Sequence, residues 1–82
     1  MNWDLIREEA SQLLSDYLKI DTSNPPGKEL SACKWLSEIL AQEQIEYKII
    51  NSDDSRGNLI AGINNDLPSN TKVILLNHID VV

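Results

Sequence analysis

The sequence predicts an α/β fold in which two N-terminal helices pack on a mixed β-sheet. Three observations carry that prediction. Apolar residues recur every three to four positions over about residues 3–19 and again over about 28–43, the period of a helix with one buried face. From about 45 the period drops to two, the period of a strand. From 73 to 76 it vanishes into the continuous run Val73-Ile74-Leu75-Leu76, apolar on both faces, as interior strands are.

The first helix takes its stripe from Ile6, Ala10, Leu13, Leu14, Tyr17 and Leu18. Asn2 is the expected cap, and Asp4, Glu8 and Glu9 place negative charge toward the positive end of the helix dipole. Asp21–Gly27 reads DTSNPPG, where two prolines fix the backbone and bias the residue before each away from helix. The second helix takes its apolar stripe from Leu30, Cys33, Leu36, Ile39 and Leu40, with Ala32 and Trp35 beside it and Lys34, Glu38, Gln42 and Glu43 on the wet side. Ile45, Tyr47 and Ile49 alternate with Glu46 and Lys48 in a strand over about 45–50. The polar turn Asn51–Gly57 leads to a second strand over about 58–63, antiparallel to the first. A further turn over Asn64–Asn70 precedes the third strand, about 73–79.

Composition limits the function classes. Eighty-two residues allow one small domain, which at this size buries only about 60% of its extended surface. A net charge of −6, with the seven Lys and Arg scattered singly, argues against nucleic acid and anionic membrane as partners. One cysteine excludes an internal disulfide and a Cys-rich zinc module. No apolar run approaches the ~20 residues that span a bilayer, so a reducing, cytoplasmic setting is expected.

The candidate chemistry lies at the end of the third strand. His78 and Asp80 stand at i and i+2, on one side of an extended backbone. A carboxylate there can fix the imidazole tautomer and leave the other ring nitrogen for a metal or a substrate. One histidine does not make a metal site, since zinc takes three or four ligands. A polar strand end packed on a turn is the plainer reading of the same pair. Asp53 and Asp54 read as solvated turn charge, Cys33 as a buried, inert thiol, and Trp3 and Trp35 as core or interface aromatics. Thr22 and Ser23 have no histidine close in sequence to activate them. The chain carries no Gly-rich phosphate loop, HExxH, GxSxG or EF-hand pattern.

Taken together, Ile20–Glu29 (IDTSNPPGKE) and Leu75–Val82 (LLNHIDVV) resemble the N-terminal part of the M20 family of metallopeptidases and deacylases. That family includes acetylornithine deacetylase, succinyl-diaminopimelate desuccinylase and aminoacylase types. Helix, PPG loop, helix, strand pair and a hydrophobic strand ending in His-x-Asp follow the family's order across essentially the whole chain. Asn77 departs from the family, which more often has a small residue before the histidine.

The resemblance implies that His78 is a ligand of one metal in a two-metal site, with Zn2+ or Co2+ as the ions. It implies that Asp80 is the carboxylate orienting that imidazole, and that Asn24–Gly27 with Glu29 is structural. Family members are several times longer, with the general base and the remaining ligands downstream. Residues 1–82 are therefore expected to be a fragment of an incomplete catalytic domain. The full-length enzyme is expected to hydrolyse N-acyl amino acids or short peptides, with a homodimer as its possible assembly. The isolated 82 residues are expected to be inactive and to hold no ion stably. A small α/β binding or association domain without chemistry is the alternative, since an uncovered hydrophobic strand invites pairing with another chain.

Overall fold

The computed structural model describes residues 1–63 and 73–82. The turn expected over Asn64–Asn70 lies outside them.

Helix α1 spans Trp3–Leu18 and α2 spans Glu29–Gln42, followed by strands β1 (Glu46–Asn51) and β2 (Gly57–Gly62). The Asn2 side chain caps α1 as expected, accepting from the amides of Asp4 and Leu5 at 3.1 and 3.2 Å. Helix α2 closes in a Schellman arrangement. Gln44 takes a left-handed conformation (φ 58°), its amide donates to the Ala41 carbonyl at 3.1 Å, and the Ile45 amide donates to the Leu40 carbonyl at 2.9 Å. The reversal aims the chain back along α2 as β1.

The two strands form an antiparallel hairpin in which Ile49 stands opposite Leu59. Both are half-buried, and α2 packs across both strands. The core is small: Leu30, Ala32 and Cys33 of α2 are its buried hydrophobic residues. Gly57 permits this packing, because a Cβ there would lie 3.2 Å from the Leu30 side chain and 3.1 Å from the Ile50 carbonyl oxygen.

The α/β class holds, with two departures in detail. Residues 73–80, expected as an interior strand over about 73–79, form no strand ladder. Val73, Ile74, Leu75 and Leu76 are 85–92% exposed. The parallel component of the expected mixed sheet is a single bridge, Ser23 to Val81. An interior strand needs paired neighbours at its edges and a layer on each face, and the hairpin offers this run neither.

Helix α1 has no buried residue, so the sheet is covered by one helix and not by two. Ile6, Leu14 and Leu18 of its stripe are exposed, and Tyr17 meets Trp35 of α2 with ring centroids 6.2 Å apart. The far side of the hairpin also shows Ile50 and Ile60 to solvent.

Candidate functional site

The Asp21–Gly27 loop turns back on itself through two consecutive cis peptide bonds, Asn24–Pro25 and Pro25–Pro26, and the Gly27 amide donates to the Ser23 carbonyl at 2.8 Å. This shape lays residues 22–24 along the end of the chain. The Thr22 hydroxyl donates to the Ile79 carbonyl at 2.9 Å, the Val81 amide to the Thr22 carbonyl at 3.1 Å, and the Asn24 amide to the Val81 carbonyl at 2.6 Å. The His-x-Asp segment is therefore held by the loop and not by a sheet.

His78 and Asp80 come together as their spacing suggests. The nearest acceptor to His78 Nδ1 is the Asp80 main-chain carbonyl at 2.9 Å, with the carboxylate Oδ1 at 3.4 Å. Both oxygens only accept, so these contacts favour a proton on Nδ1 and leave Nε2 with its lone pair. The ring is 85% exposed, so that nitrogen is accessible. The Asp80 carboxyl is held below its ordinary range, first by the Asn24 hydrogen bond to Oδ2 at 3.1 Å, with the positive charge of nearby Arg56 acting in the same direction.

Beside them lies a fork that pattern reading did not reveal. Arg56 donates from Nε to Glu29 Oε2 at 3.1 Å and from Nη2 to Oε1 at 2.8 Å, and Nη2 is 3.7 Å from Asp80 Oδ2. Glu29 is buried, and the Arg56 hydrogen bond is the main reason its carboxyl titrates below the usual range. Gly27 leaves room for the fork: its φ is +78°, and a Cβ there would sit 2.7 Å from Glu29 Oε1 and 2.9 Å from Arg56 Nε. The one advance signal was a lone arginine in an acidic turn and a lone glutamate opening a helix.

An open cleft of about 430 Å³ lies between this fork, the start of β2 and Asn77–Asp80. Asp53 reaches its rim, yet its Oδ1 accepts from the Ser55 and Arg56 amides, each at 2.8 Å, which makes it a turn-closing residue. Cys33 is fully buried, and burial pushes its thiol pKa up. Among the described residues, no three His, Cys, Asp or Glu side chains gather into a group able to hold a metal ion. No helix among them is long and apolar enough to cross a membrane.

The fold and site thus define a class: a partly covered α/β layer whose proline loop clasps a His-x-Asp end. Among known proteins, the chain is 36% identical over 78 residues to the probable succinyl-diaminopimelate desuccinylase of Staphylococcus epidermidis, covering 95% of this chain and 18% of that relative. It is 31% identical over 75 residues to the protein of the same name in Staphylococcus aureus, covering 92% of this chain and 18% of that relative. These relatives carry the name of one of the types in the M20 family that the two motifs resemble. The chain spans under a fifth of their length. No family model matches it, and no solved structure does.

Proposed function

We propose that these 82 residues are the N-terminal part of the catalytic domain of a metal-dependent amide hydrolase acting on N-acyl amino acids or short peptides. The relatives' name favours a succinyl amide within that class. The observation that carries the reading is the His78 ring, whose Nδ1 faces Asp80 while Nε2 stays open beside a cleft. A neutral imidazole nitrogen suits a borderline divalent ion such as Zn2+ or Co2+, and one such nitrogen fits one position of a two-metal site. When bound, such ions supply Lewis-acid polarisation of the scissile carbonyl and a water acidic enough to attack it.

What this chain contributes is narrower. Asp80 orients the imidazole and keeps its proton on Nδ1, so that Nε2 is the ligating atom. The clasp of Thr22 and Asn24 on Ile79–Val81 fixes where that nitrogen stands. The other ligands and the general base belong to polypeptide outside these residues, so the isolated chain is inactive.

The test is a chimera in which these residues replace the matching stretch of the Staphylococcus epidermidis relative. Zn2+- or Co2+-dependent hydrolysis of N-succinyl-diaminopimelate, lost on His78→Ala, is the expected result. An active chimera that tolerates His78→Ala would overturn the reading, as would such hydrolysis by the isolated 82 residues. The alternative of an association domain draws on one observation, the exposed run Val73–Leu76. A tight stoichiometric homodimer with a cooperative melt would favour it.

A further inference from the structure

The two carboxylate oxygens of Asp80 have different surroundings. Oδ2 accepts from Asn24 Nδ2 at 3.1 Å and faces Arg56 Nη2 at 3.7 Å, whereas Oδ1 lies 3.4 Å from His78 Nδ1. A carboxylate on a short side chain can rotate, and at 31% exposure water competes for both oxygens. Anchoring one oxygen decides where the other points.

Both anchors are themselves fixed. The Asn24 main chain donates to Val81, and the next peptide bond leads into the paired prolines. Arg56 is held by its two-point contact with buried Glu29, and the Arg56 amide is tied to Asp53. Asn24 and Arg56 come from separate loops and converge on one oxygen.

We propose that Asn24 and Arg56 are positioning residues for the His78–Asp80 pair: they engage Oδ2 of Asp80 so that Oδ1 turns to His78 Nδ1 and Nε2 keeps its lone pair outward. The inference rests on the roles proposed above for His78 and Asp80. It gives the proline loop and the β1–β2 turn a direct part in preparing the imidazole.

His78 is the only histidine in the chain, so its ring nitrogens are read by ¹⁵N NMR without ambiguity of assignment. At a pH where the ring is neutral, the Nδ1–H form is expected to dominate. Asn24→Ala is expected to lower the ratio of Nδ1–H to Nε2–H by about two- to tenfold, the range that loss of one hydrogen bond gives, and Arg56→Gln, which removes an ion pair at 3.7 Å, to lower it by less. Asp80→Ala is expected to do at least as much. An unchanged ratio in folded Asn24→Ala and Arg56→Gln, with a shift in Asp80→Ala, would overturn the inference and spare the reading beneath it. An unchanged ratio in Asp80→Ala would mean that the Asp80 main-chain carbonyl, 2.9 Å from Nδ1, fixes the tautomer alone, and would remove the role proposed for the Asp80 carboxylate together with the inference.

Should either variant unfold, the contact is read from its other end. The two Asn24 side-chain amide protons are expected to be well separated in the parent chain and to converge in Asp80→Ala. Asn24 signals indifferent to Asp80→Ala would overturn the inference equally.

Discussion

Arg56 grips Glu29 at two points, at 3.1 and 2.8 Å, across twenty-seven positions of sequence. The glutamate is buried at the first turn of α2, and the arginine sits at the mouth of β2. The pair therefore joins the helix to the hairpin on the side where the His-x-Asp segment arrives. Removing the arginine leaves a buried carboxylate without its partner, an uncompensated charge held away from water. Arg56→Ala is expected to lower the urea midpoint clearly, while Arg7→Ala, which breaks the fully exposed pair with Asp4, leaves it unchanged. Equal midpoints for the two variants would contradict this.

Stability should fall on the acid side. Glu29 is held low by Arg56, and Asp53 by the Ser55 and Arg56 amides, so the folded state binds protons less readily than the unfolded chain. A carboxyl with a depressed folded-state pKa stabilises fully above its ordinary value, about 4.3 for Glu and 3.9 for Asp. That contribution is lost as pH falls through the lower folded value. Urea midpoints measured from about pH 6 down to about pH 3 are expected to drop, and Glu29→Gln to flatten the slope while lowering the midpoint at neutral pH.

Gln44 occupies a left-handed position that glycine adopts without penalty. Gln44→Gly is expected to stabilise the chain by roughly 0.5–1 kcal/mol, the left-handed penalty less the extra entropy glycine loses on folding, read from the denaturation midpoint at unchanged slope. A loss of stability would mean that the Gln44 side chain matters more than its backbone.

The exposed apolar run should make the isolated chain associate. Val73–Leu76, the open stripe of α1, and Ile50 with Ile60 leave uncovered surface that water disfavours. Sedimentation is expected to show concentration-dependent association that Leu75→Lys weakens, together with a low, broad melt. A sharp two-state melt of a monomer above about 60 °C would contradict it.

Cys33 should be silent until the fold opens. Its side chain is fully buried, with its thiolate disfavoured by burial and by neighbouring Glu29. Labelling by a thiol reagent is expected to be slow in native buffer and to track the unfolded fraction in urea. Rapid native labelling would count against the packing of α2 on the hairpin.

Local pattern carried far in this chain. The stripes predicted α1 and α2, Asn2 predicted its own capping role, and the period-two stretch at Ile45–Ile49 predicted β1, because each depends on neighbours within a few residues. The i and i+2 spacing of His78 and Asp80 was equally legible, since backbone geometry alone brings them near.

What tertiary structure decided are the contacts that close over long separations. Composition does not reveal that Thr22 and Asn24 clasp Ile79–Val81, that Arg56 finds Glu29, or that the two cis peptide bonds shape the loop between them. Nor does an apolar run reveal whether it has partners. Val73–Leu76 has the composition of an interior strand, but a strand exists only when another chain segment offers its hydrogen bonds, and here none of the described residues does. Side-chain chemistry sets what each residue can do locally; the meeting of distant segments sets which of those capacities is used.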